Sequence, residues 1–323
     1  MSIANKVIAF LKKSDQNMKV SITTDKKIDL PYCVTISATV LGLEISTWGV
    51  DESLDTASTK AVMELYERFI FLNSKKSNTF TQIGFFGKTV EASTFFEQGQ
   101  DLISTSSSGY AAHTSMRCAV DSAIDELIER HVLLKAELLR IPPKRIETNS
   151  SRFSHIDGLS VDSFLWSGPL GRSIVVTRFV INGLTFYGFG CSEKMESAVE
   201  KSLLEAVPRL YYILNKNVDR IEDLPNENIH FYANLKSDAS NMGKLLKLAT
   251  LGGDSKAPEV DTMLRKSDFF ISLVAEKPFP VVRAISKLVQ PHFLGEWSID
   301  KINLKAFNYC VPRNFPEGLH VLG

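Results

Sequence analysis

The signatures that usually announce a nucleotide, metal or nucleophile site are missing from this chain of 323 residues. Gly168-Pro-Leu-Gly-Arg-Ser173 and Gly252-Gly-Asp-Ser-Lys256 are glycine turns, but neither has the GxxxxGK(S/T) spacing of a phosphate-cradling loop. No GxGxxG, GxSxG or HExxH occurs. Net charge is also absent. Lys and Arg number 37, as do Asp and Glu, which argues against nucleic acid or an anionic membrane as the main partner. No apolar run approaches the roughly 18 residues of a membrane span. The apolar stretch 7–11 is too short for a signal-peptide core and runs at once into Lys12 and Lys13. Cysteine is sparse: Cys33, Cys118, Cys191 and Cys310 lie far apart with no CxxC pair, so a zinc cage or disulfide frame is not expected. They read as reduced, mostly buried thiols of a soluble cytoplasmic protein. The six histidines (His113, His131, His155, His230, His292, His320) are dispersed and read as structural or solvent-facing.

What the chain has is a repeat. Ala61-Val-Met-Glu-Leu-Tyr-Glu-Arg68, Ala123-Ile-Asp-Glu-Leu-Ile-Glu-Arg130 and Ser202-Leu-Leu-Glu-Ala-Val-Pro-Arg209 align without gaps. Seven residues before each first Glu stands an alanine: Ala57, Ala119 and Ala198. Further upstream a glycine (Gly49, Gly109, Gly190) follows an apolar, strand-like run at 41–48, 102–108 and 184–189. The unit is strand, glycine turn, long helix, used three times. Its spacing is too irregular for a solenoid, so one domain with internal pseudo-symmetry is expected. A hairpin is expected across Asn182-Gly183, joining 173–180 to 184–189. A basic amphipathic helix is expected at 242–251, strands at 269–274 and 281–285, and an irregular tail from residue 308. Residues 56–58, 104–108 and 149–151 read as polar turns.

The first two repeat helices are apolar around nearly the whole circumference. Glu64, Glu67 and Arg68, at i, i+3 and i+4, form one narrow polar stripe, and Glu126, Glu129 and Arg130 repeat it. A single such stripe is ordinary surface ion pairing. Two in step, each behind a matched Gly and Ala, point to convergence. Carboxylates buried on apolar helices are costly unless paired or bound to a cation. Glu64, Glu67, Glu126, Glu129 and Glu205 supply hard oxygen ligands for Mg²⁺, and the arginines supply forks for phosphate. ATP is the natural ligand of that combination.

Residues 57–68, Ser108-Gly-Tyr-Ala-Ala112 followed by 119–130, and Gly188-Phe-Gly190 followed by 198–205 resemble the three signature regions of YcaO-domain proteins. Val281-Val-Arg-Ala-Ile-Ser286 with Gln290-Pro-His-Phe-Leu-Gly295 is similar to that family's C-terminal strand and turn. The resemblance runs from about residue 49 to 295. It implies an α+β fold: a single YcaO-type domain over 1–323, with an N-terminal extension (1–40) and a C-terminal tail (296–323). Three strand–turn–helix units would surround an ATP/Mg²⁺ site, with mixed, largely antiparallel sheets. It further implies ATP binding through Lys60, Arg68, Ser108, Arg130, Ser202 and Arg283, and Mg²⁺ binding through the five glutamates; it names no catalytic residue.

Such proteins phosphorylate a peptide-bond oxygen after a nucleophile has attacked the carbonyl. With Cys, Ser or Thr of a ribosomal precursor peptide as nucleophile the product is a thiazoline or oxazoline, as in thiazole/oxazole-modified microcins. An E1-like (ThiF-like) partner usually recognises the peptide, and one acting in trans is implied here. An FMN-dependent dehydrogenase and a second copy of the chain are further partners that the resemblance admits.

The chain also departs from the family. Gly49-Val50-Asp51 stands where Gly-Lys-Gly is frequent, and Lys60, in place of a Ser, is expected to restore that charge. Ser108 replaces an Asn. Pro208 replaces a Gln, and proline within a helix removes a backbone donor and kinks it, so Glu205 is expected to be that helix's last residue to reach the site. The C-terminal residues lack an alternating-proline pattern. The carboxylates favour a cyclodehydratase; Val50, Lys60, Pro208 and the tail favour a non-catalytic, peptide-binding scaffold; thioamide formation is the third reading.

Overall fold

The computed structural model describes residues 2–73, 79–82, 89–91, 108–148, 150–216, 241–249, 256–290 and 302–307. In chain order these form α1 (Ile3–Ser14), β1 (Lys19–Asp25), β2 (Tyr32–Val40), β3 (Leu43–Asp51), α2 (Leu54–Asn73), β4 (Thr79–Gln82), β5 (Thr89–Glu91), β6 (Tyr110–Ala112), α3 (Met116–Leu139), β7 (Lys144–Ile146), β8 (Ser160–Ser167), β9 (Ser173–Ile181), β10 (Leu184–Ser192), α4 (Met195–Lys216), α5 (Asn241–Leu246), β11 (Phe269–Ala275) and β12 (Val281–Ser286).

Three sheets result, ordered β1-β2-β3, β5-β4-β11-β12-β6 and β10-β9-β8-β7. Every strand pairing described is antiparallel. Each repeat belongs to a different sheet: α2 follows β3, α3 follows β6 and α4 follows β10. The expected single α+β domain built from three such units is therefore observed. Two-residue turns fix the register of the tight hairpins. Asn182 and Gly183 both take positive φ (50° and 75°), the mirror-image turn that matches strand twist, and β9 pairs with β10 along its full length.

The helices pack closely because the strands leading into two of them carry glycine. A Cβ built on Gly49 would lie 1.9 Å from the Ala57 carbonyl oxygen, and one on Gly190 2.1 Å from that of Ala198. Both helices thus lie directly on their strands, which is why small residues recur at these positions. Around this contact Ala57, Ala61 and Tyr66 of α2 share a core with Val7, Leu11 and Ile36. Leu203, Ala206 and Leu210 of α4 pack on Phe179 and Phe186, whose rings stack at 5.3 Å. The third helix, α3, is buried on most sides against Trp166, Ile174, Val282 and Ala284.

Several sequence expectations change. Residues 2–40 are not an appendage, since β2 pairs with β3 along its length and α1 packs its Val7 and Leu11 into the α2 core. Residues 56–58 lie in the first turns of α2, where Ser53, just before the helix, accepts the Thr56 N–H on its hydroxyl and the Ala57 N–H on its carbonyl. The second unit's strand follows Gly109 as β6; the strand expected at 102–108 falls outside the described residues except for Ser108, a turn residue. The basic helix near 242 is only α5, which ends at Leu246. Proline does not end the third repeat helix: α4 carries Pro208 internally and continues to Lys216. Cys118 is exposed, whereas Cys33 and Cys191 are buried. Cys310, His230, His292, His320 and the tail from 308 lie outside the described residues. His131 is structural, as expected: fully buried, it bonds Asp261 at 2.7 Å and accepts the Gln290 backbone N–H at 3.0 Å. Among the described residues no helix is long and apolar enough to cross a membrane.

Candidate functional site

The first glutamate of each repeat helix reaches back to the chain entering that helix. Glu64 accepts the Trp48 backbone N–H at 3.1 Å, Glu126 that of Gly109 at 3.1 Å, and Glu205 that of Phe189 at 2.5 Å. Glu67 crosses to the next unit and accepts the Ala112 N–H at 3.2 Å. Ordinary helix geometry places the carboxylate, and the glycine contacts bring the strand's amide within its reach.

All five predicted metal-ligand carboxylates keep part of their surface accessible. Protein nevertheless surrounds four of them densely enough that burial dominates their protonation. Burial pushes Glu126 up to about 7, with the Glu205 charge adding to it and Arg130 and the Gly109 N–H opposing it. Burial and then Glu205 push Glu129 up to about 8. Glu67 is raised well above the carboxylate range by burial and then by the charges of Glu126 and Glu64. Glu205 is raised by burial, against the pull of Arg209 and Arg130. These mutual influences run through all five groups, so the three stripes do converge.

One cavity of about 420 Å³ opens among the units, within the range of small-ligand sites. Of the predicted residues, Lys60, Glu64, Arg68, Arg130 and Glu205 line it. Glu67, Glu126 and Glu129 stand outside its wall. So do Ser108, Ser202 and Arg283. Ser202 is fully buried, with its hydroxyl bonded to Thr177 at 2.7 Å and to the Val199 carbonyl at 2.8 Å. Arg283 is buried on β12 with its guanidinium 4.9 Å from the Tyr110 ring centre. Lys60 does reach the wall, but its ammonium is held by Asp51 at 2.8 Å and the Val50 carbonyl at 3.0 Å.

The rest of the lining was not singled out from the sequence: Trp48, Gly49, Val50, Phe189, Lys201, Leu204, Pro208 and Arg209. The signal for two of them was in the repeat itself. Arg209 stands where Arg68 and Arg130 stand, and Lys201 stands where Lys60 stands, four residues before its Glu. Because α4 continues past Pro208, Arg209 reaches the cavity one turn beyond Glu205.

The donor set can be tested against an anion bound with Mg²⁺. Arg130 Nε and Nη1 and Arg209 Nε are buried and have no hydrogen-bond partner among the described residues. A buried unpaired donor is costly, and guanidinium donors match phosphate oxygens. Among the described residues, no three His, Cys, Asp or Glu side chains stand close enough to hold a metal ion as they are. Mg²⁺ does not require three, because it is usually held by one or two carboxylates with water and substrate phosphates. Glu64 and Glu205, both in the wall, meet that need, so the residues fit the pair of ligands.

The fold is shared with solved structures of low sequence identity. YcaO from Methanopyrus kandleri, bound with AMPPCP and Mg²⁺, matches with a TM-score of 0.58 at 14% identity, covering 96% of this chain and 93% of that one. The E. coli microcin synthetase McbBCD complex matches with a TM-score of 0.58 at 13% identity, over 84% of this chain and 88% of that one. A heterocyclase in complex with substrate and cofactor matches with a TM-score of 0.60 at 10% identity, over 90% of this chain and 52% of its longer one. Comparison with curated protein sequences finds no match. A family model described as YcaO cyclodehydratase, ATP- and Mg²⁺-binding, matches residues 89–268, more than half of the chain. This chain belongs to the YcaO family, whose cofactors are ATP and Mg²⁺.

Proposed function

We propose that this protein uses ATP and Mg²⁺ to activate backbone amides of a ribosomally made precursor peptide, closing Cys, Ser or Thr residues into thiazolines or oxazolines. The observation that carries this reading is the set of unpartnered Arg130 and Arg209 donors in the wall of one cavity that Glu64 and Glu205 also line. Glu64 and Glu205 would hold Mg²⁺, with Glu67, Glu126 and Glu129 the carboxylates behind them. Arg68 and Arg130 would grip phosphate oxygens, and Lys60 would add positive charge at the rim. ATP supplies the phosphoryl group that turns an amide oxygen into a leaving group. Ser202 and Arg283 support the packing of α4 and β12 and do not reach the nucleotide in this reading; Ser108 shapes the turn before β6.

An E1-like partner would present the peptide, converting its encounter with the site into a tethered one at about millimolar effective concentration for a short linker. The McbBCD complex and the substrate-bound heterocyclase support the involvement of partners and a peptide. Phosphate release and peptide mass should be measured with each component omitted in turn. Rapid release, with loss of one water mass per ring, is expected only with protein, partner, peptide and ATP together. Replacement of oxygen by sulfur would instead indicate a thioamide. Full modification without a partner would overturn the partner requirement.

One observation favours a second reading, that of a peptide-binding scaffold. The Lys60 ammonium is already tied to Asp51 and the Val50 carbonyl. No nucleotide-dependent rise in Tm would support the scaffold, since any ligand bound only by the folded state must stabilise it.

A further inference from the structure

The cavity wall repeats itself at one constant offset along the chain. Trp48 corresponds to Phe189, Gly49 to Gly190, Lys60 to Lys201, Glu64 to Glu205 and Arg68 to Arg209. The local geometry repeats as well. Lys60 donates to the Val50 carbonyl at 3.0 Å and Lys201 to the Cys191 carbonyl at 2.8 Å, and Val50 and Cys191 are themselves equivalent. The first and third units therefore present two matching half-chambers, with Arg130 of the second unit also in the wall.

The halves differ in how their positive charge is compensated. In the first, Arg68 pairs with Glu64 at 2.6 Å and Lys60 with Asp51 at 2.8 Å. In the third, Asp51 has Ser192 as its counterpart, so the second acid is missing. Lys201 reaches Asp125 only at 3.4 Å. The Arg209 guanidinium donates through Nη1 to the carbonyls of Tyr187 (3.2 Å) and Glu205 (3.3 Å), both neutral acceptors, while its Nε has no partner among the described residues. Arg130 offers two more unpaired donors in the same wall. Burial lowers Arg209; the Glu205 charge opposes that shift and the Arg130 charge adds to it. Three idle donors on two guanidiniums of one wall suit a multivalent anion such as a polyphosphate.

We propose that Arg209 is a phosphate-binding residue that acts with Arg130, so that the nucleotide's distal phosphates lie in the third-unit half of the chamber and Arg68, already paired with Glu64, is left to the phosphate nearest the nucleoside. Pro208 contributes by standing where the first helix has Glu67, so no carboxylate from that position competes for Arg209. This inference rests on the nucleotide reading above and adds to it a residue and a side of the chamber.

The test is calorimetric titration of the full chain with ATP, ADP and AMP in Mg²⁺, comparing the parent with Arg209→Gln, Arg209→Lys and Arg68→Gln. Arg209→Gln should weaken ATP binding about tenfold or more, the scale of one charge-assisted contact, and leave AMP binding within about twofold. Arg209→Lys should recover only part of that loss, because a lysine is a point charge. Inorganic triphosphate should compete with ATP in the parent and fail to compete in Arg209→Gln. Equal weakening of all three nucleotides would make Arg209 merely structural and overturn the proposal. So would an unchanged ATP affinity alongside a large loss in Arg68→Gln. A parent that binds no nucleotide at all would instead overturn the nucleotide reading itself.

Discussion

The backbone N–H of Phe189 donates to Glu205 Oε2 at 2.5 Å, and this bond joins a strand to the helix that follows it at the wall of the cavity. Trp48 and Glu64 make the same bond in the first unit, and Gly109 and Glu126 make it in the second. Each bond holds a carboxylate in position, and at Glu126 and Glu205 burial and a neighbouring acid oppose the charge so held. That tension makes the site sensitive to pH and to bound cations.

The protein without ligand should lose stability as pH rises. Glu126 and Glu129 titrate near 7 and 8 when folded, against about 4.3 for an exposed glutamate, so the folded state binds more protons than the unfolded state between those limits. Their contribution is fully present below about pH 4.3 and is lost as pH rises through 7 to 8. Thermal unfolding at pH 5.5 and 8.0 should show the lower Tm at pH 8.0, and saturating Mg²⁺ with ATP should narrow the gap. A Tm higher at pH 8.0 would contradict the burial of these acids.

Glu126→Gln should be more stable than the parent at pH 8, by on the order of 2 kcal/mol, and indistinguishable at pH 4. The amide oxygen can still accept the Gly109 N–H, while the buried charge is gone. Urea unfolding at the two pH values measures the difference. A variant destabilised equally at both would mean that the ionised carboxylate supports the fold.

Glu205→Gln should bind ATP with Mg²⁺ at least tenfold more weakly, because it removes one of two wall carboxylates facing the cation. The ligand-induced rise in Tm, large in the parent, should nearly vanish. Equal rises in both proteins would remove Glu205 from the metal site.

Arg130→Lys should keep the fold and lose nucleotide affinity by about tenfold or more. Lysine retains the charge but cannot supply the paired Nε and Nη1 donors that stand idle in the cavity wall. Retention of the parent's affinity would reduce Arg130 to a source of charge.

Gly190→Ala should destabilise by about 1–3 kcal/mol, since its methyl would sit 2.1 Å from the Ala198 carbonyl oxygen and the helix must shift. Gly183→Ala offers the contrast, because nothing lies within 4 Å of where its methyl would stand and only its positive φ of 75° resists the change. Denaturant midpoints of the two variants should show the larger loss for Gly190→Ala.

The amino-acid pattern alone determined the repeat, the three helices and the convergence of their acids. Periodicity and local spacing are written along the chain, and a helix apolar on nearly every side has nowhere to go but inside. The Asn182-Gly183 hairpin and the strands β11 and β12 were equally legible, as local turn chemistry and short apolar runs specify them, whereas the pairing of β11 with β12 came from the structure. Tertiary structure decided which polar groups face the cavity. Ser202 turns to Thr177, Arg283 lies over Tyr110 and Lys60 is held by Asp51, all partners distant in sequence or on another element. The persistence of α4 through Pro208 was likewise a tertiary outcome. Packing of Leu210, Tyr211 and Ile213 into the core beneath β9 and β10 outweighs one lost backbone hydrogen bond, and it is this packing that carries Arg209 to the site.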